Sequence, residues 1–180
     1  MRVITGIAGG RKLTSPEGEA VRPTTVQVKQ AIFNILQFDL EGRRILDLFG
    51  GTGQLGIEAL SRGAREAVFT DSSRTSVQLI RENLKRCGLE GKVLQTDALA
   101  YLARGEKFDV IFIDPPYDGG LYQAVLERIN AVDKLTEGGI IVCEARAGTI
   151  LPEMRPPYLM LRERRYGSVL IRLYIREHHE

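Results

Sequence analysis

The apolar positions of this chain follow two alternating periods from residue 44 onwards. Short runs that are apolar at nearly every position, as at 45–48, 110–113 and 140–143, alternate with longer stretches in which apolar residues recur every three or four positions. Near-continuous apolar runs are typical of parallel strands with both faces covered, and the longer period is typical of amphipathic helices. The pattern predicts successive βαβ units and therefore a doubly wound α/β sheet.

The alternation divides into five strands with a helix between each pair. In chain order the segments are RRILDLF (strand), QLGIEALSRG (helix), EAVFTD (strand), RTSVQLIRENLKRCG (helix), KVLQTD (strand), ALAYLAR (helix), FDVIFID (strand), LYQAVLERINAVD (helix) and GGIIVCEA (strand). Two more apolar segments, YLMLRERRY and SVLIRLYI, lie on either side of Gly167 with no helical segment between them. They predict an antiparallel hairpin at the end of the sheet.

A further helix is predicted ahead of the first strand, in RPTTVQVKQAIFNILQ. Thr24 or Thr25 is suited to its N-cap, and the apolar residues that recur at helical spacing are Val28, Ile32, Ile35 and Leu36. The chain length suits one compact unit. We therefore expect a single domain over residues 1–180, with an N-terminal extension and helix at 1–40 and the α/β core at 41–180.

Composition narrows the class of protein. Hydrophobic residues make up 43% and charged residues 27% of the chain, which is typical of a globular protein. No apolar stretch approaches the roughly 20 residues that span a bilayer, and the first residues lack the apolar core of a signal peptide. We expect a cytoplasmic protein without membrane contact.

The cysteines and histidines of this chain do not indicate a metal site. Cys87 and Cys143 are far apart in the sequence, so we expect two reduced thiols. His178 and His179 lie at the end of the chain, where a frayed tail is the simpler interpretation. No metal site is predicted.

Charged residues are distributed unevenly along the chain, although the net charge is only +2. Residues 1–36 carry five basic and two acidic side chains, residues 155–180 carry six and three, and residues 37–154 carry 14 and 18. Basic ends around an acidic middle suit a body that binds a small cationic or neutral ligand and ends that contact a polyanion. Solvated surface charge is the alternative, because the arginines in LRERRYGSVLIR can also face water on a strand.

A glycine-rich segment, LDLFGGTGQLG, joins the first strand to the helix after it and contains Gly51-x-Gly53-x-x-Gly56. Glycines there permit a sharp turn and let a ligand approach the free N–H groups at the start of the helix. Asp71 follows 20 residues after Gly51 at the end of the second strand, where its carboxylate can accept hydrogen bonds from ribose hydroxyls. The loop predicts a site for an adenosine-containing ligand, and it also fits a nicotinamide dinucleotide.

Asp47 distinguishes between these ligands. It ends the first strand, where a carboxylate would attract an ammonium or another cation and would repel a pyrophosphate. S-adenosylmethionine carries an ammonium and a sulfonium and has no phosphate. Asp97, at the end of the third strand, can accept a hydrogen bond from an adenine amino group or can cap the helix that follows, and the sequence leaves both roles open.

Asp114-Pro115-Pro116-Tyr117 ends the fourth strand, which lies beside the first in a doubly wound sheet. An exocyclic amine of a nucleobase is a poor nucleophile because its lone pair is delocalised into the ring. Acceptors for its two hydrogens, here the Asp114 carboxylate and the Pro115 carbonyl, would favour the pyramidal amine and direct the lone pair at a methyl donor. The prolines fix the backbone, and Tyr117 offers a flat face on which an extruded base can stack.

The segments LDLFGGTGQLGIEALSRGA and FIDPPY, preceded by RPTT and AIFNIL, resemble the RsmD-type methyltransferases. The resemblance extends from GGRKL to the last strand and rests on three motifs in order. It implies methylation of the N2 amine of a guanine in bacterial 16S ribosomal RNA by S-adenosylmethionine. It also implies a mostly parallel seven-stranded sheet of the class I S-adenosylmethionine-dependent methyltransferase (Rossmann-like) type, with one antiparallel strand near the edge. The segment Arg22-Pro23-Thr24-Thr25 would then pack over the methionine end of the cofactor.

Each candidate residue thereby has a predicted role. The catalytic residues are Asp114, Pro115, Pro116 and Tyr117. The cofactor-binding residues are Thr24, Thr25, Asp47, Phe49, Gly50, Gly51, Gly53, Asp71, Asp97, Ala98 and Asp114. The RNA-binding residues are Arg11, Lys12 and Arg22, and the partner is 16S rRNA, either free or within an assembling small ribosomal subunit.

Three other functions remain open on the sequence alone. A DNA or RNA adenine-N6 methyltransferase would share the Asp-Pro-Pro-Tyr motif, although DNA enzymes of that kind ordinarily carry additional sequence for target recognition. A nicotinamide-dependent oxidoreductase would share the glycine loop, but Asp47 and the lack of a substrate domain disfavour it. A non-catalytic RNA-binding relative would be expected to have lost the glycines or the Asp-Pro-Pro-Tyr motif.

Overall fold

The computed structural model describes residues 1–16, 24–116 and 120–178. Helices and strands alternate in chain order as α1 (Thr24–Ile35), β1 (Arg44–Asp47), α2 (Gln54–Ser61), β2 (Glu66–Asp71), α3 (Arg74–Cys87), β3 (Lys92–Gln95), α4 (Ala98–Leu102), β4 (Phe108–Ile113), α5 (Leu121–Val132), β5 (Leu135–Arg146), β6 (Tyr158–Tyr166) and β7 (Val169–Arg176). Within the described ranges, no helix has both the length and the apolar composition to cross a lipid bilayer.

Seven strands of the described chain form one sheet in the order β3-β2-β1-β4-β5-β7-β6. Strands β1 to β5 are parallel to one another, and β7 is antiparallel to both β5 and β6. The strand order reverses between β1 and β4, which is where doubly wound sheets bind their ligands. The predicted doubly wound sheet, its C-terminal hairpin and its antiparallel strand near the edge are confirmed.

Both faces of the sheet are covered, as the near-continuous apolar strands predict. On one face, α1, α2, α3 and the first residues of the chain pack onto side chains that include Ile45, Phe69 and Phe112. On the other face, α4 and α5 pack onto Leu46 and Ile111. Consecutive residues such as Ile45 and Leu46 belong to opposite cores because side chains alternate along a strand.

Several element boundaries differ from the predictions by a few residues. Strand β5 begins at Leu135 and not at Gly138, because an irregularity in its register with β4 accommodates Gly138 at a φ of 70°. Helix α4 ends at Leu102, two residues early. Helix α1 begins at Thr24, so Thr24 and Thr25 lie in its first turn and not at the N-cap. Both cysteines are free and buried, as expected.

Within the predicted N-terminal extension, the first 13 residues form a short hairpin, which we call the N-terminal hairpin. Arg2 and Lys12 pair across it in an isolated antiparallel bridge. Val3 and Leu13 are buried in the core that also contains α1, α2 and α3. The hairpin is therefore packed onto the helical layer over the sheet.

Glu58 of α2 anchors this hairpin through a fully buried carboxylate. It accepts hydrogen bonds from the backbone N–H groups of Ile4 at 2.8 Å and Thr5 at 3.0 Å. It also forms ion pairs with Arg62 at 2.9 Å and with the buried Lys29 ammonium at 3.5 Å. Burial lowers the pKa of Lys29, and the Glu58 carboxylate acts in the opposite direction.

Replacing Glu58 with Ala should therefore be strongly destabilising. The substitution leaves the Lys29 ammonium buried without its counter-charge and two backbone N–H groups without acceptors, a loss of about 3–5 kcal/mol in the free energy of unfolding. Urea denaturation measures this directly.

The matched control is Glu82→Ala, because Glu82 also pairs with an arginine four residues later, here at the surface. That change should cost only about 0.3–0.5 kcal/mol. Equal losses in the two variants would contradict the anchoring role of Glu58.

Candidate active site

A cavity of about 1010 Å³ opens at the carboxyl edge of the sheet. Its walls come from the segments that follow β1, β2, β3 and β4, from the end of β5 and from Met1, Ser15 and Pro16 near the start of the chain. Parallel strands bring their carboxyl ends to one edge, so residues far apart in the sequence meet there. The cavity contains most of the positions that the sequence predicts as a site.

The turn between β1 and α2 forms the floor of this cavity. Gly53 precedes α2 with a φ of 80°, a conformation that side chains disfavour. Gly56 lies so close to the Phe69 ring of β2 that a Cβ added at Gly56 would come within 2.3 Å of that ring. The glycine pattern thus serves both the turn and the close packing of helix on sheet. Phe49, Gly50 and Gly51 line the cavity, whereas Gly53, also predicted to bind the cofactor, does not.

Asp47 and Asp71 both accept hydrogen bonds from this turn. Asp47 is 3% exposed, and its Oδ2 accepts from the Gly56 N–H at 3.0 Å. Asp71 is half-buried, and its Oδ2 accepts from the Gly51 N–H at 3.0 Å, while its Oδ1 accepts from the Ser73 N–H at 2.8 Å. Burial, with a smaller effect of Asp71, raises the pKa of Asp47 to about 7.

Asp97 caps α4. Its Oδ1 accepts from the Ala100 N–H at 3.0 Å, and its backbone is extended as in an N-cap. The capping role that the sequence left open is thus present. Asp97 and Ala98 also line the cavity, so a contact with a ligand remains compatible with the cap.

Asp114, Pro115 and Pro116 follow β4 directly and line the same cavity. Strand β4 pairs with β1, with Phe112 opposite Asp47, so the two strand ends lie side by side. Asp114 is half-buried, Pro115 is buried and Pro116 is exposed. The structure therefore brings the proline motif to the glycine turn, as the sequence predicts.

Other predicted residues are not placed in the cavity. The predicted roles of Tyr117 and Arg22 fall outside the described residues, as do the side chains of Thr24 and Thr25. Arg11 and Lys12 are exposed on the N-terminal hairpin, and Arg11 Nη1 donates to the Arg86 carbonyl at 3.2 Å near the end of α3. The predictions for these residues stay predictions.

The sequence predictions missed several cavity residues, of which Gln54, Glu144 and Arg146 have long polar or charged side chains. Gln54 is the first residue of α2, and its buried Oε1 has no hydrogen-bond partner among the described residues. Glu144 and Arg146 end β5, the strand next to β4. Their position at the carboxyl end of a central strand was the signal that could have identified them, as it identified Asp114.

Acidic side chains outnumber basic ones in the cavity wall. The acidic lining residues are Asp47, Asp71, Asp97, Asp114 and Glu144. Among the described residues, the basic side chain in the wall is Arg146. Such a wall attracts cations and hydrogen-bond donors and repels phosphate groups. No group of three or more His, Cys, Asp or Glu side chains in the described ranges is arranged to hold a metal ion.

The sequence and fold are similar to those of known methyltransferases. The model of the family described as Conserved hypothetical protein 95 matches residues 1–175. Putative rRNA methyltransferase YlbH of Bacillus subtilis (strain 168) is 39% identical, covering 97% of this chain and 98% of that protein.

Two further similarities come from Escherichia coli. Ribosomal RNA small subunit methyltransferase D of strain K12 is 33% identical, covering 98% of this chain and 90% of that protein. The solved structure of the putative methyltransferase yhhF superposes with a TM-score of 0.89 at 34% identity and covers 98% of both chains. The fold is thus the Rossmann-like fold of class I methyltransferases.

The raised pKa of Asp47 predicts a pH dependence of stability. Between pH 3.8, the ordinary pKa of an aspartate, and about pH 7, the Asp47 carboxyl keeps its proton in the folded chain. In the unfolded chain it has released the proton over the same pH range. Because the unfolded state binds fewer protons there, the contribution of Asp47 to stability falls as the pH rises through this interval. Asp47→Asn retains an acceptor for the Gly56 N–H and cannot ionise, so it should gain stability relative to the wild type from pH 4 to pH 8.

Urea denaturation of both proteins at several pH values measures that difference. Asp39→Asn, which removes a carboxylate outside the cavity, is the matched control. A difference between Asp47→Asn and the wild type that does not change with pH would contradict the assignment.

Proposed function

We infer the activity from one premise: the chain belongs to the family described as Conserved hypothetical protein 95, that of ribosomal RNA small subunit methyltransferase D. We propose that the chain, as one methyltransferase domain over residues 1–180, transfers the methyl group of S-adenosylmethionine to the N2 amine of a guanine in 16S rRNA. The observation that carries this proposal is that the glycine turn and Asp114-Pro115 line one cavity.

The chemistry of the wall supports S-adenosylmethionine as the cofactor. This molecule presents an ammonium, a sulfonium, ribose hydroxyls and an adenine amine, which are all cations or hydrogen-bond donors. The cavity offers five carboxylates and the unpartnered Gln54 Oε1, which are acceptors. A dinucleotide would place its pyrophosphate against the same carboxylates, and this is unfavourable.

The residues of the turn would hold the cofactor along the carboxyl edge. Asp47 and Gln54 would accept from the ammonium, with Thr24 and Thr25 over the methionine end. Asp71 would accept from the ribose hydroxyls. The remaining residues assigned to the cofactor are Phe49, Gly50, Gly51, Gly53, Asp97 and Ala98.

Bound S-adenosylmethionine supplies a methyl group on a positively charged sulfur, which is the electrophile of the reaction. The Asp114 carboxylate and the Pro115 carbonyl would accept the two hydrogens of the guanine N2 amine and aim its lone pair. Pro116 restricts the backbone conformation at these acceptors. As N2 bonds to the methyl carbon, the bond from that carbon to sulfur would break with its electron pair left on sulfur. N2 then carries the positive charge, and Asp114 would take the proton that N2 must lose. Tyr117 is proposed to stack on the extruded base.

The N-terminal hairpin is proposed to contact the RNA outside the cavity. Arg11 and Lys12 are exposed there, and the segment containing Arg22 connects the hairpin to α1. Guanidinium and ammonium groups bind phosphates through charge-assisted hydrogen bonds. The substrate would be 16S rRNA, either free or within an assembling small ribosomal subunit.

Asp71→Ala tests the cofactor site. The variant should fold and should bind S-adenosylmethionine more weakly by about 1.5–3 kcal/mol, the usual loss for a charge-assisted hydrogen bond. Isothermal titration calorimetry measures the affinity. Glu90→Ala, which removes an exposed carboxylate outside the cavity, should bind like the wild type. Unchanged affinity of Asp71→Ala would refute its role.

The reaction itself is tested by transfer of a labelled methyl group to free 16S rRNA and to assembling small subunits, followed by nucleoside analysis. We expect N2-methylguanosine, whereas N6-methyladenosine would favour the adenine alternative and no transfer to either substrate would refute the proposal. Asp114→Asn keeps an acceptor but cannot take a proton. It should lower single-turnover methyl transfer by at least about 100-fold at saturating RNA and cofactor. A full rate in this variant would exclude Asp114 as the proton acceptor.

A further inference from the structure

Strand β6 forms one edge of the described sheet and carries a cluster of arginines. It pairs with β7 alone, and residues 159–165 are all exposed. Arg162, Arg164 and Arg165 lie in its C-terminal half, and we call these three residues the β6 arginines. Exposed charges on an edge strand often serve to prevent pairing with other chains. Charge alone therefore does not identify a binding surface.

The β6 arginines differ from six other arginines of the described chain in lacking acidic partners. Arg43, Arg44, Arg62, Arg86, Arg172 and Arg176 each form an ion pair with a carboxylate. None of the β6 arginines does so in the part of the chain that the structure describes. Arg164 Nη1 donates to the Glu163 carbonyl at 3.2 Å and Arg165 Nε to the Gly167 carbonyl at 2.9 Å. These bonds use backbone acceptors and leave the positive charges unneutralised.

The acid within this strand does not neutralise them either. The Glu163 carboxylate accepts from Arg172 Nε at 2.5 Å, and Glu163 and Arg172 lie opposite each other in the β6–β7 register. Arg162 and Arg164 lie opposite Leu173 and Ile171 and therefore on the other face of the hairpin. The C-terminal half of β6 thus presents three positive charges around an open edge.

The position of the cluster connects it to the cavity. Tyr166, at the end of β6, and Arg146, at the end of β5, both lie opposite Val169 of β7. Arg146 lines the cavity. Neighbouring strands are about 4.8 Å apart, so two strand spacings place the end of β6 roughly 10 Å from the cavity rim. A nucleic acid strand with one base in the cavity can therefore reach the β6 arginines.

We propose that the β6 arginines bind phosphates of the substrate RNA that flank the base entering the cavity. This inference rests on the proposed function, since a nucleic acid must be the substrate. Planar guanidinium groups with several N–H donors suit phosphate oxygens, and three of them beside the cavity rim fix the direction of the strand relative to the site. Strand β6 ends at the carboxyl edge of the sheet, where the proposed chemistry takes place.

The test measures binding of protein-free 16S rRNA across salt concentrations. The variant Arg162→Ala/Arg164→Ala/Arg165→Ala should bind about 10- to 100-fold more weakly at 0.1 M salt, and its log-log salt slope should be shallower by up to about two units. Calorimetric affinity for S-adenosylmethionine should not change. The matched control is Arg65→Ala/Lys85→Ala/Arg128→Ala, which removes three exposed charges that lie outside the cavity wall and form no ion pair in the described chain.

A second variant, Arg162→Glu/Arg164→Glu/Arg165→Glu, keeps the edge strand charged and therefore still prevents pairing with other chains. It separates a loss of RNA binding from association through the sheet edge. Weak RNA binding by a monomeric Glu variant supports the proposal. Wild-type affinity and salt slope in both variants, or equal losses in the control, would overturn it. So would loss of binding to assembled subunits with full binding to naked rRNA, since the surface would then contact a protein.

Failure of the proposed function would be recognised separately. The wild type would then bind RNA through the β6 arginines without forming N2-methylguanosine. The opposite result, full methylation with no effect of the β6 substitutions on binding, would refute the surface and leave the function intact.

Discussion

Two hydrogen bonds from backbone amides to carboxylates hold the turn between β1 and α2, and the rest of the site depends on that turn. Asp47 accepts from Gly56, and Asp71 accepts from Gly51. The N-cap residue is Gly53, which has no side chain to cap α2. The carboxylates belong to adjacent paired strands, so the sheet register determines the shape of the loop. This explains how a glycine-rich turn can be a rigid floor for a ligand.

The N-terminal hairpin supports the same turn from the opposite side through Asn83, which is fully buried in α3. Asn83 Nδ2 donates to the Thr52 carbonyl at 2.9 Å and to the Thr14 carbonyl at 3.0 Å, while its Oδ1 accepts from the Thr14 N–H at 2.7 Å. One amide therefore joins the glycine loop to the segment that follows the hairpin. Together with the buried Glu58, this makes the extension part of the scaffold of the site.

Much of the fold could be predicted because covered strands leave a strong apolar signal. The position of Asp114 followed from the same signal, since a residue directly after a central strand must lie at the carboxyl edge. The N-terminal hairpin could not be predicted, because polar contacts with Glu58 and Asn83 hold it, and such contacts have no period in the sequence. The position of Asp47 at the end of a strand predicted a contact with a ligand. The structure shows that its carboxylate also accepts a hydrogen bond from the Gly56 N–H.

The separation of charge in the structure constrains how a nucleic acid could enter. Carboxylates line the cavity, whereas the β6 arginines are exposed beside its rim. A phosphate would be repelled from the interior, and an exocyclic amine would find acceptors there. On the proposed function, the backbone must therefore stay outside with the arginines while a single base leaves its stack and enters. Base extrusion is thus required by the charges of the site. A target that is already unpaired, as in a loop or an unfinished ribosomal particle, would have the smallest unstacking cost.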